Sequence, residues 1–219
     1  MMEAMKQKVT EMLKGIERYN PDNLITLRKY VEVQVNENAY DLDANLAVLK
    51  LYQMNPHAFD EEVTCQILLK ALTNLPHTDF VLCKCLLNQK IMELPEIANI
   101  LDLANILEEC QFQLAWNQIA KMHDQCSKIV GFNDSIRKFV CHVVGITFQT
   151  IHKSVLVELL GGTSHINDAT LKLWVKKYGW VEENDNIIFI ANQDENIKTK
   201  NITEKIDFEN VAGLMAACL

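Results

Sequence analysis

Proline and glycine are scarce in this chain, at 4 and 7 of 219 residues. All four prolines lie at or before Pro95, so nothing beyond that point interrupts a helix by ring geometry. The shortage argues against an architecture of many short strands and turns. Aromatic residues make up only 7%. No apolar run is long enough to span a bilayer, and the start, MMEAMKQKV, is too charged for a secretory leader. No CxxC pair occurs among the seven cysteines, whose odd number and irregular spacing give no disulfide framework. Cys218 is second from the last residue, a position that prenylation does not use. Also missing are HExxH, an acidic calcium loop and a phosphate loop: Gly161-Gly162 is followed by Thr163-Ser164 with no lysine. The expectation is a chain with no active site, no cofactor and no metal, in a reducing compartment, with its thiols packed as small apolar groups.

Hydrophobic residues, at 49%, are plentiful enough for a sizeable core, and the 23% of charged residues is ordinary for a folded protein. The net charge is −8. An acidic chain repels phosphate backbones, which disfavours a dedicated nucleic-acid binder but leaves room for a local basic face.

Apolar residues recur at helical spacing through most of the chain. Val9, Met12, Leu13, Ile16 and Tyr19 predict a first helix from about Glu3 to Tyr19. Asn20-Pro21 is a cap followed by proline at a first helical position, opening a second helix. Asp41 or Asp43 opens a third, through Met54, with so little polar surface that it should be central. Further helices are expected at Val63–Leu72, from Thr78 to Leu87, from Pro95 to about Glu108, and from Phe112 to Cys126. About seven helices before Gly131, joined by short turns, suggest antiparallel hairpins stacked as a small solenoid, or else an irregular bundle.

The pattern changes past Gly131. A long apolar face runs from Phe132 to Ile151, then a short helix ends at Gly161-Gly162. Asn167 or Asp168 caps a third helix that Gly179 closes, and Trp180-Val181, EENDN and Ile187–Ile190 read as a hairpin. Helix, short helix, capped helix and hairpin is the order of a winged helix. Phe208, Val211, Leu214 and Met215 suggest one more amphipathic helix and a contact for partner helices. The expected division is 1–130 as the helical domain, 131–206 as the winged-helix domain and 207–219 as the terminal helix.

Few residues could carry chemistry. Cys83 and Cys85 stand two apart, so on a helix they diverge by about 200° and cannot share a metal ion. Cys141-His142 resembles a nucleophile beside a base, but adjacent helical side chains diverge by about 100°. The capped helix near the C-terminus carries Lys172, Lys176 and Lys177, and Asn167–Trp180 has a net charge of +2. These lysines are a candidate contact for RNA phosphate or an acidic partner, weighed against a solvated face. The helix lacks arginine, and has no Asn or Gln in its interior to read base edges.

Several longer stretches are more specific. LKGIERYNPDNL (Leu13–Leu24), ENAYDLDANLAVLKLYQMNP (Glu37–Pro56) and ILLKALTNLPHTDFVLCKCL (Ile67–Leu86) occur in order with RKFVCHVVGITFQTI (Arg137–Ile151), LKLWVKKYGW (Leu171–Trp180) and NITEKIDFENV (Asn201–Val211). In these the sequence resembles the k-subunit family of eukaryotic translation initiation factor 3. The resemblance implies a mainly α chain, with HEAT-like stacked helices followed by a winged helix. It implies kinship with the PCI-type scaffold proteins of the proteasome lid and signalosome. It also implies a cytoplasmic, non-catalytic subunit beside the l and e subunits, supporting translation initiation on the small ribosomal subunit, a nuclear pool being compatible with this. Two other readings compete: a winged-helix nucleic-acid-binding regulator and a cysteine-dependent enzyme.

Overall fold

The computed structural model describes residues 2–162, 166–184, 186–193, 211, 215 and 216, with the side chains of 2–4 left aside. It is mainly helical with one small sheet.

Helix α1 spans Met2–Met12, and Gly15, at φ +62°, turns the chain away from it. A 3-10 turn, Gly15–Tyr19, follows. The single helix expected from Glu3 to Tyr19 is therefore interrupted. Only glycine adopts this left-handed conformation cheaply, and the turn leaves Ile16 84% exposed instead of on the packed face. Asn20 accepts from the N–H of Asp22, and Pro21 begins the short 3-10 turn Pro21–Asn23 that leads into α2, Leu24–Asn36.

Asp41, rather than Asp43, caps α3 (Leu42–Met54) by accepting the N–H of Ala44. Asp60 caps α4 (Glu61–Leu72) in the same way through Val63. Then come α5 (Asp79–Cys85), α6 (Gln89–Met92), α7 (Pro95–Glu108), α8 (Phe112–Lys121) and α9 (His123–Cys126). Thr78 makes no side-chain cap to α5. The one helix expected over Phe112–Cys126 is broken at Met122, whose φ of −97° and ψ of 25° leave the helical region. The break lets Met122 bury its side chain.

Helix α2 packs on α3 and α4, α4 on α5 and α7, and α7 on α8. The expected central helix, α3, buries seven of 13 residues, but α4 buries nine of 12 and is the more enclosed. A polar network pins α2 to the start of α3. Gln34 is fully buried, donates to Asn45 Oδ1 at 3.0 Å and accepts the N–H of Asp41 at 2.8 Å. Tyr30 donates to Asp41 Oδ2 at 3.1 Å. Buried polar groups of this kind fix one register between helices, because any other leaves them unpaired.

After Gly131, at φ +77°, come α10 (Phe132–Thr147), β1 (Thr150–His152), α11 (Lys153–Leu159), α12 (Asp168–Tyr178), β2 (Val181–Asn184) and β3 (Ile187–Phe189). Asn167 caps α12 by accepting the N–H of Thr170 at 2.8 Å, and Gly179 ends it at φ +71°. The sheet is antiparallel in the order β1-β3-β2. Strand β1 departs from the helical reading of this stretch. Helix α10 stops at Thr147, and Phe148 is already extended at ψ 139°. Ile151 stands opposite Ile188, and both are buried. A β-branched pair that buries across a sheet stabilises the strand over a further helical turn.

The buried apolar residues form one continuous cluster from Val9 to Ile190. It crosses the change of pattern at Gly131, where α4 meets α10 and α8 meets α11. Among the described residues no helix is long and apolar enough to cross a membrane.

Candidate functional site

The three lysines singled out in the sequence sit together on α12. Lys172, Lys176 and Lys177 are all exposed. None of them forms an ion pair among the described residues. The helix is held from below by Leu171, Trp174 and Val175, which are buried, so its lysine face is turned outward by packing. Lys177 Nζ lies 4.6 Å from the centre of the Trp174 ring. Trp174, Tyr178 and Trp180 stack in turn, at 6.3 and 5.3 Å between ring centres. With both indoles mostly buried, these rings support the helix instead of offering free platforms for bases.

The surroundings of the lysines are mixed. Leu173 lies opposite the packed face, among the lysines, and is 69% exposed. Strand β2 is an exposed edge carrying Val181, Glu182 and Glu183. A lysine face broken by an exposed apolar side chain is not a continuous phosphate track.

Of the terminal group, Val211 is helical and half-buried, and Met215 is helical and 63% exposed. Phe208 and Leu214 lie outside the described residues.

The cysteines do not assemble into reactive chemistry. Cys83 is buried and Cys85 exposed, so the two diverge as helical spacing requires. Cys141 is buried while His142, its neighbour, faces outward. Burial pushes the Cys65, Cys83 and Cys141 thiols up to about 12 and Cys126 up to about 11. A nucleophilic thiol needs the opposite displacement. Among the described residues no group of three or more His, Cys, Asp or Glu side chains could hold a metal ion.

A cleft of about 590 Å3 opens between α1 and the start of α3. Lys6, Lys14 and Arg18 face Asp41 and Asp43 across it. Its charges nearly balance, and Asp41 is already engaged as a helix cap and as the acceptor of Tyr30.

A second arrangement lies where α8, α10 and the end of α11 meet. Arg137 on α10 donates through Nε to the Leu160 carbonyl at 3.2 Å and through Nη1 to Asp134 at 2.9 Å. Its guanidinium lies 5.3 Å from the ring centre of Trp116, whose indole N–H donates to the Leu159 carbonyl at 2.8 Å. Nothing in the sequence pattern singles out Arg137 or Trp116 as partners. The trace that was present is a single arginine set inside the apolar run of α10.

The sequence profile of the CSN8/PSMD8/EIF3K family matches residues 58–201. Eukaryotic translation initiation factor 3 subunit K of Bombyx mori is 63% identical over 216 residues, covering 99% of this chain and 97% of that protein. The Homo sapiens subunit K is 56% identical over 217 residues, with 99% and 98% covered, and that of Anopheles gambiae 57% over 211, with 96% and 94%. On a profile match across most of its length and close similarity from end to end, the chain belongs to the CSN8/PSMD8/EIF3K family, within its group of translation initiation factor 3 K subunits.

Proposed function

We propose that this chain is a non-catalytic scaffold subunit of eukaryotic translation initiation factor 3, binding sister subunits and supporting initiation on the small ribosomal subunit from the cytoplasm. The observation that carries this reading is the end-to-end similarity to subunit K proteins. Residues 1–130 serve as a HEAT-like stack, 131–206 as a PCI-type winged helix and 207–219 as a terminal helix. The order of α10, β1, α11, α12, β2 and β3, with the sheet order β1-β3-β2, supports the winged helix. The serial packing of α2, α4, α7 and α8 supports the stack.

The l and e subunits are the neighbours we assign. Lys172, Lys176 and Lys177 offer a contact for an acidic partner or for RNA phosphate. Phe208, Val211, Leu214 and Met215 offer an apolar stripe to partner helices. The absence of an enzymatic role fits the buried, deactivated thiols.

Capture of the tagged chain from eukaryotic cell extract, followed by mass spectrometry, tests the reading. Other subunits of the factor are expected in the captured fraction, and their absence would overturn it. The competing reading, a regulator that uses its winged helix on duplex DNA, is disfavoured by the net charge of −8 and the acidic β2 edge. A gel shift with duplex DNA at moderate salt separates the two: only the regulator would retard the DNA.

A further inference from the structure

The joint between the two parts of the chain contains a pocket. It is a cavity of about 210 Å3 between α8, α9 and the start of α10. Trp116, Ile119 and Ala120 form an apolar wall, and His123, Ser127, Asn133 and Arg137 form the polar side. Free small-molecule ligands generally occupy about 300–1,000 Å3. A space of this size suits one large side chain and little more.

Arg137 gives the pocket its chemistry. Its side chain is only 12% exposed and is held from three directions, by Leu160, Asp134 and the Trp116 ring. Nε and Nη1 are engaged, whereas Nη2 has no partner among the described residues. A fixed guanidinium with one donor nitrogen to spare pays little entropy to hold a carboxylate. The surrounding stretch is cationic although the chain is not. Lys121 to Lys138 holds four basic side chains against two acidic ones, in a protein of net charge −8; Lys128 pairs with Glu62 and Arg137 with Asp134, and Lys121 and Lys138 form no ion pair among the described residues.

We propose that this pocket anchors a sister subunit, by receiving one large apolar side chain while Arg137 binds a carboxylate on the neighbouring residue of the same partner segment. The apolar wall supplies the buried anchor that dominates interface energetics, and the cationic side selects an acidic flank. The location adds a consequence. Arg137 and Trp116 also bind the carbonyls of Leu160 and Leu159, which follow or end α11, so an occupant touches the residues that tie the two parts together. The inference rests on the reading of the chain as an assembly subunit.

Its test has an arm that does not depend on that reading. The probes are 4-phenylbutyrate, which joins an apolar body to a carboxylate, and the matching alcohol, 4-phenylbutanol. The chain has three tryptophans, so the indole N–H of Trp116 can be followed individually by 15N NMR on the full-length protein. The acid is expected to shift the Trp116 signal saturably and the alcohol to bind at least about fivefold more weakly. Asn133→Glu places a negative charge on the rim, in the first turn of α10, where an acid favours the helix. It should weaken the acid about fivefold and the alcohol clearly less. Ser127→Trp should fill the cavity and abolish both. Equal binding of acid and alcohol, or no shift at Trp116, overturns the proposal.

In cell extract, Asn133→Glu should recover sister subunits, identified by mass spectrometry, in lower yield than the wild type. Recovery at the wild-type level overturns the pocket while leaving the scaffold reading intact. Failure of the wild type itself to recover them sinks the scaffold reading, and the NMR arm then decides the pocket alone.

Discussion

Lys70 shows at the scale of one residue how burial sets a charge. It lies on α4, 1% exposed, and desolvation lowers its pKa from the ordinary 10.5 to about 8. Between about 8 and 10.5 the folded chain therefore binds fewer protons at this site than the unfolded chain does. Stability from Lys70 rises with pH through that window, and its penalty is full below 8. Lys70→Met keeps a flexible buried stem and removes the charge. It should raise stability at pH 7 by on the order of 1–3 kcal/mol, with the gain shrinking as the pH is raised to about 9. Urea unfolding of both proteins at several pH values checks this; a constant difference would mean that burial leaves the Lys70 pKa where it is in the unfolded chain. The buried thiols act in the other direction. Cys65, Cys83, Cys126 and Cys141 keep protons that the unfolded chain loses above about 9, so the folded state weakens there. That loss is common to both proteins and cancels in the comparison.

At the scale of elements, the joints matter more than the helices. Gly131 precedes α10 at φ +77°, and a Cβ there would lie 2.8 Å from Asn38 Nδ2. Asn38 can move that end of its side chain, so the left-handed backbone carries most of the cost. Gly131→Ala should destabilise by about 1 kcal/mol, and Gly131→Asn by less, since asparagine tolerates this conformation better. Thermal unfolding of the two variants reads the difference, and equal melting temperatures would show that the clash dominates instead. The same joints decided what could be read from the sequence. Caps at Asp41 and Asn167 and the stop at Gly179 were legible because each is a local rule, one side chain to one N–H or one glycine in one conformation. The breaks at Gly15 and Met122 were not, because apolar spacing runs straight through them. Strand β1 was hidden for a different reason. Thr150–His152 becomes a strand through pairing with residues 187–189, far along the chain, and no local pattern announces such a partner. The lysine face of α12 was visible from spacing alone. The Arg137 pocket was not, since Trp116, Ser127 and Arg137 meet only after α8, α9 and α10 have packed.

At the scale of the molecule, the helices before Gly131 and the elements after it share one interior. The apolar cluster runs unbroken from Val9 to Ile190, and polar ties reinforce the crossing. Gln113 donates to Glu158 at 3.0 Å, and the Trp116 indole N–H donates to the Leu159 carbonyl at 2.8 Å. The Gln113 tie is exposed and contributes little, so the cohesion comes mainly from burial. A part that borrows its core from its neighbour cannot keep that core when cut away, because the exposed apolar surface loses its contribution of about 25 cal/mol per Å2. The whole chain should therefore unfold in one transition, with helix loss followed by far-ultraviolet circular dichroism coinciding with the fluorescence of Trp116, Trp174 and Trp180. Residues 131–219 made alone should show reduced helix and an earlier, broader melt. Two separated transitions in the full chain, or a fragment that melts as sharply and as high as the parent, would mean that the parts are independent. A subunit that unfolds as one body also transmits position as one body. An anchor at the joint would then orient the helical stack and the lysine face of α12 together, which is what a scaffold requires of a single point of attachment.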